Sequence, residues 1–91
     1  MFEKKGKSFT AYVLLNCDLG AEEAIIEKLK DFENVKEIHG VFGVYDIIAK
    51  VESQNKDTLR ETITWQIRKL DKVRSTLTLS GIEGQEFTRS K

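Results

Sequence analysis

Gly43-Val44-Tyr45-Asp46 is where this 91-residue chain concentrates groups that could do chemistry. A glycine lets the backbone turn and lets a ligand approach it closely, and the aspartate offers a carboxylate for an ammonium group. The plainer reading is a hairpin turn whose aspartate bonds its own backbone, and on the pattern alone that reading is the better one. Thr76, Thr78 and Ser80 alternate along a second stretch. They would set three hydroxyls on one strand face, able to hold a small polar ligand, although the β-propensity of threonine accounts for the same pattern. His39 is the lone histidine, and no nucleophile or orienting carboxylate is marked beside it. It therefore reads as a structural or interface residue, and no catalytic residue is assigned. Cys17 stands in apolar company and reads as a buried thiol. Cysteine, histidine and carboxylates show no metal-ligand spacing, so neither a metal nor a cofactor is expected. Gly81-Ile82-Glu83-Gly84 lacks the Lys-Ser/Thr of a phosphate loop. The basic cluster of Arg68, Lys69, Lys72 and Arg74 has Asp71 inside it and reads as solvated surface.

The elements that must position these groups follow from periodicity. Phe9–Cys17 is rich in β-formers and predicts a first strand. Asp18 is the expected N-cap of a helix over Gly20–Asp31, whose apolar residues Ala21, Ala24, Ile25, Leu29 and Phe32 recur at helical spacing. Asn34 suits a left-handed stop. Val35–Phe42 and Val44–Val51 read as two strands of a hairpin turning at Gly43. Ser53 or Asn55 caps a second helix with the stripe Leu59, Ile63, Ile67 and Leu70, and Val73–Ile82 alternates as a fourth strand. The order β-α-β-β-α-β predicts an α+β, ferredoxin-like sandwich: a four-stranded antiparallel sheet with two helices on one face. Residues 1–8 read as a flexible basic lead, 9–84 as one domain and 85–91 as a polar tail.

Alternation assigns Val13, Leu15, Cys17, Ile38, Phe42, Ile47, Ala49, Val51, Val73, Leu77 and Leu79 to the helix side. The opposite face would carry Tyr12, Leu14, Asn16, His39, Val41, Val44, Ile48, Thr76, Thr78 and Ser80. Half of these are large and apolar, which a solvated antiparallel face is not. A two-fold homodimer, sheet against sheet, is the simplest cover. Trp65 falls off the core stripe, on a face with Thr58, Thr62 and Lys69, and reads as a further oligomer contact. Lys+Arg and Asp+Glu both number 15, so net charge is zero. That argues against unspecific nucleic-acid binding. The longest apolar runs are far short of the roughly 20 residues of a membrane span, no secretory h-region follows the N-terminus, and one cysteine forms no internal disulfide; a cytoplasmic protein is expected.

With those residues in place, the sequence resembles the effector-binding (RAM) domain of Lrp/AsnC, or feast/famine, regulators in its stand-alone form. The resemblance spans Phe9 to about Glu83. It is carried by the element order, by HGVFGVYDIIAKVE and by DKVRSTLTLSGIE. Gly43, Tyr45 and Asp46 match a G-x-[YF]-D turn, and Val73, Thr76 and Thr78 match V-x-x-T-x-T. Where many members have Pro-Gly, this chain has Glu33-Asn34 and Asp71-Lys72. The resemblance implies a dimeric α/β-barrel type of assembly, with dimers joining into larger oligomers and a small amino-acid effector bound between dimers. It places Gly43, Val44, Tyr45 and Asp46 at that effector, with Thr76, Thr78 and Ser80 from a neighbour. The expected oligomer contacts are Tyr12, Leu14, His39, Val41, Ile48 and Trp65. The chain has no room for the family's helix-turn-helix, so no direct DNA binding is expected, and transcription would be modulated through assembly with full-length regulators. The alternatives are a small dimeric α/β-barrel enzyme, with His39 and Tyr45 as suspects, and an ACT-like regulatory domain. The apolar second face argues against the side-by-side sheets of the latter. A missing Cys-x-x-Cys and a missing aromatic RNP pattern argue against metal transport and RNA recognition.

Overall fold

A computed structural model describes residues 8–89; the basic lead apart from Ser8, and the last two residues of the tail, lie outside them. The strands are β1 (Phe9–Cys17), β2 (Val35–Gly40), β3 (Ile47–Ser53) and β4 (Val73–Ser80), and the first helix is α1 (Glu22–Leu29). The second helix, α2, is α-helical over Lys56–Glu61 and continues as a π-helical segment over Thr62–Ile67. The sheet order is β2-β3-β1-β4 with every neighbouring pair antiparallel, the expected ferredoxin-like α+β arrangement.

The core lies between sheet and helices. Ala11, Val13, Leu15 and Cys17 are buried on alternate positions of β1, as are Ile47, Ala49 and Val51 on β3. Ile25 and Leu29 meet them from α1, and Leu59, Ile63 and Ile67 from the second helix. Each large side chain so buried contributes about 1.5–3 kcal/mol. Asn55 caps the second helix: its Oδ1 accepts from Asp57 N at 2.8 Å and Thr58 N at 3.1 Å. The Leu59, Ile63, Ile67 stripe steps by four residues, which drifts by about 40° per step on an α-helix. The wider turn, closed by Arg68 N donating to Ile63 O across five residues at 2.9 Å, reduces that drift and keeps the stripe over the sheet. Thr62 sits at the junction, its hydroxyl donating to Thr58 O at 3.0 Å and accepting from Asn34 Nδ2 at 3.1 Å.

Several expectations are corrected. Asp18 does not cap α1: Ala21 holds the cap position without a side-chain bond, because Gly20 turns the chain at φ +83° and removes Asp18 from the helix end. Asn34 is not left-handed. Among the described non-glycine residues that conformation belongs to Lys72 at φ 72°, and the Asn34 side chain is spent on Thr62. The β2–β3 link is no tight hairpin, since Gly40 ends one strand and Ile47 starts the next. Phe42 therefore leaves the sheet and is fully exposed, where the helix face was expected. Thr62, expected beside Trp65 on the outer flank, is buried.

The largest correction is on β4. Cys17 pairs with Val73 but Asn16 pairs with Ser75, so Arg74 is a bulge residue. One extra residue inverts every side chain after it. Thr76, Thr78 and Ser80 stand opposite Leu15, Val13 and Ala11 and so belong to the helix face; Leu77 and Leu79 stand opposite Leu14 and Tyr12 on the open face.

Two substitutions test this framework by urea denaturation. Asn55→Ala should cost about 1 kcal/mol by removing the cap. Leu29→Ala should cost about 2–5 kcal/mol by leaving a cavity between α1 and the sheet.

Candidate functional site

The connection 41–46 is tied down at its C-terminal end. Asp46 N donates to Leu15 O at 2.9 Å and Asp46 O accepts from Val41 N at 2.9 Å, so one residue holds the base of the loop and docks it on β1. The carboxylate adds a third tie: Oδ2 accepts from Cys17 N at 3.0 Å and lies 3.7 Å from Cys17 Sγ. Asp46 thus bonds backbone, as the plainer sequence reading had it, but the backbone of β1 rather than its own turn. Above this base Gly43 has φ +155°, a conformation side chains rarely adopt, and a Cβ there would meet nothing within 4 Å. Its requirement is conformational. Val44 and Phe42 flank it with their side chains in solvent, while Tyr45 is half-buried.

A shallow cleft of about 420 Å³ opens beside the carboxylate, lined by Asn16, Cys17, Asp46, Arg74 and Ser75. The fold also gathers three donors the spacing did not reveal. One ligand atom each from Cys17, Glu22 and Asp46 lies within 4.8 Å of the others. A cation there would have to share Asp46 with the Cys17 hydrogen bonds. Burial raises the Cys17 thiol pKa, and the charges of Asp46 and Glu22 raise it further.

Of the three expected hydroxyls, Thr76 comes closest along the sheet to Asp46, since both adjoin Leu15 from opposite sides of β1, whereas the β4 hydroxyl that shares the cleft with Asp46 is Ser75. Thr78 and Ser80 lie farther along, in a groove of about 310 Å³ against the second helix. One chain therefore does not bring the seven effector candidates into a single pocket. The expected interface residues Tyr12, Leu14, His39 and Ile48 share the open face, where the register sets Tyr12 and Leu14 against Lys50 and Ile48 and pairs His39 with Ile48. Val41 is exposed in the loop, and Trp65 is exposed on the second helix with the Lys69 ammonium 4.8 Å from its ring centre.

Leu77 and Leu79 were missed on the open face, hidden by the bulge. So was its charge: Lys50 Nζ lies 3.7 Å from Glu37 and 3.6 Å from Glu52, with His39 Nε2 at 3.3 Å from Glu37. The hydrogen bond from His39, with Lys50 beside it, lowers the Glu37 pKa. The open face is thus apolar over β1 and β4 and ionic over β2 and β3.

The Cys17 shift has a measurable sign. A thiol whose pKa is raised on folding stabilises the fold below its unfolded pKa, and that contribution is lost as pH climbs through the folded value. Stability should therefore fall on the alkaline side in a pH series of urea melts. Asp46→Asn removes one of the raising charges while keeping an acceptor for Cys17 N. Iodoacetamide should then label Cys17 at lower pH in the variant than in the wild type.

Sequence and structure comparisons agree with this fold. Residues 10–82 match the family model of the Lrp/AsnC ligand binding domain. The crystal structure of FFRP-DM1 is 38% identical, with 81% of this chain and 99% of that one aligned at a TM-score of 0.78. The Escherichia coli AsnC structure is 20% identical at a TM-score of 0.80, covering 90% of this chain and 56% of AsnC. The Neisseria meningitidis transcriptional regulator NMB0573, crystallised as a complex with L-Met, is 10% identical at a TM-score of 0.78, covering 91% of this chain and 55% of its own. The latter two likenesses are of fold alone. No curated protein matches the chain in sequence. No helix among the described residues is long and apolar enough to cross a membrane. With a family match across nearly the whole described fold and a 38% identical structural relative, the chain is a member of the Lrp/AsnC ligand-binding domain family.

Proposed function

We propose that this chain is an oligomeric, non-enzymatic regulatory module of the cytoplasm that binds a small amino acid between dimers. The observation that carries the reading is the loop over residues 41–46. It is anchored at its base by Asp46, yet it sends Phe42 and Val44 wholly into solvent. A fixed base with uncovered apolar residues is half of a pocket, completed by another copy. The effector's ammonium would sit on Asp46, against the backbone of Gly43 and Val44 and the ring of Tyr45. Thr76, Thr78 and Ser80 of a neighbouring copy would supply hydroxyls. The regulator of the same fold that was crystallised with L-Met supports a free amino acid as the ligand class.

The dimer would form through the open face, with Tyr12, Leu14, His39 and Ile48 joined by Leu77 and Leu79, and with Val41 meeting the partner from the loop. Trp65 would make a further contact between dimers. Control then works by linkage: an effector held between dimers favours the assembly that binds it better, and full-length regulators could join through the same surfaces.

A thermal-shift series against the twenty amino acids, with light scattering on the same samples, tests this. One or two amino acids should raise the melting temperature and change the particle mass, because a ligand of the folded state stabilises it by mass action. Asp46→Asn should abolish that shift while leaving the unliganded melt close to wild type. An undiminished shift in the variant removes Asp46 from the site, and no shift with any amino acid removes the sensor reading. Separately, Leu14→Glu should convert the dimer to a folded monomer by light scattering, since it buries an unpaired charge in the sheet-to-sheet contact.

A further inference from the structure

The flank of the second helix facing β4 carries a column of four side chains, three of them cations, that the effector reading does not use. Lys56, Arg60, Thr64 and Arg68 recur every four residues, and the π-helical turn keeps Arg68 in line. All four border the groove of about 310 Å³ whose far wall is Thr78 and Ser80. Among the described residues no carboxylate lines this groove. Lys56 stands over the Phe9 ring at 5.5 Å and also borders a neighbouring cavity that contains Glu52, Glu83 and Glu86. Arg60 and Arg68 are exposed, and among the described residues neither guanidinium forms an ion pair.

Beside the groove runs an open edge. Among the described residues β4 pairs with β1 alone, so alternate N–H and C=O groups along Val73–Ser80 point away from the sheet. The two features have matching repeats. Four residues of helix rise about 6 Å. Same-face side chains on an extended strand recur about every 6.6–6.8 Å. A strand laid along β4 would therefore set every second side chain opposite successive members of the column.

We propose that the β4 edge and this column together form a docking site for an extended acidic segment of a partner protein. The segment adds to the sheet as a fifth strand. Its main chain bonds the free edge of β4. Carboxylates on alternate residues meet Lys56, Arg60 and Arg68, with a small polar residue at Thr64. Guanidinium groups suit this role because their planar forks take carboxylates in two hydrogen bonds. The site lies outside the Gly43–Asp46 loop but shares Thr78 and Ser80 with the proposed effector contacts, so a docked segment and a neighbouring copy that uses those hydroxyls would exclude one another.

Fluorescence polarisation with the whole protein tests it, using a labelled octapeptide with glutamate at positions 1, 3 and 7 and threonine elsewhere. Saturable binding is expected, weakened roughly tenfold or more in Arg60→Glu/Arg68→Glu by charge reversal at the contact. The same peptide N-methylated on alternate edge-facing amides should also bind poorly, since it keeps the charges but cannot join the sheet. Asp46→Asn should bind the peptide like wild type, which separates this site from the effector loop. Circular dichroism melts confirm folding, and Arg60→Gln/Arg68→Gln serves if the charge reversal unfolds the chain. The proposal is overturned by absence of saturable binding to the wild type, as when a second copy of the chain covers the edge. It is overturned equally by unchanged affinity in the arginine variants or in the N-methylated peptide, or by tighter binding of a single-stranded oligonucleotide than of the peptide.

Discussion

Every other strand takes its phase from β1. It is one of the two interior strands, hydrogen-bonded to β3 on one side and to β4 on the other, and its alternation is unbroken from Ala11 to Cys17. With period two, fixing which of its residues face the helices fixes the faces of its partners. The core, the open face and the two ends of the sheet all follow from that alternation. Even the Asp46 anchor depends on it, because Leu15 O and Cys17 N are where β1 presents hydrogen-bonding groups to the loop.

The architecture was legible because it rests on long, strongly periodic segments. β1 reads as a strand from its residue types, and Leu59, Ile63 and Ile67 mark the buried stripe of the second helix. What escaped was set by single residues acting over distance. The bulge at Arg74 has no local signature, yet it moves three hydroxyls and two leucines to opposite faces. The π-helical turn was equally unreadable, because a stripe spaced by four residues fits both kinds of helix. The cap at Asn55 was legible, since a short amide followed by a helical run is a local device. Asp18 had the same credentials, but Gly20 intervened, and the helix began without a side-chain cap.

The site was legible to a lesser degree. Gly43 and Asp46 stand out in the sequence, but their pattern equally describes a turn. The carboxylate reaches across to β1, a contact between residues 29 apart that no spacing rule anticipates. Long-range contact also gathers Cys17, Glu22 and Asp46 and sets the Arg60 and Arg68 side chains along an edge strand. The residues that carry chemistry are visible in the chain, and their partners are supplied by topology.

The π-helical segment bears on how this chain can change. Such a segment is an α-helix holding one residue more than its turn needs, so the path from β3 to β4 contains one residue of slack. Losing a residue between Thr62 and Ile67 would restore ordinary helix and leave the strands joined. The five residues left would turn the chain about as far as the six do now, so everything beyond would keep its orientation. Arg68 would stay near the column, and Leu70 would stay against the core it packs on. Length variation at this point would therefore change only the side chains that the segment itself presents, exposed Trp65 among them, so related chains can diverge there in surface contact without diverging in fold.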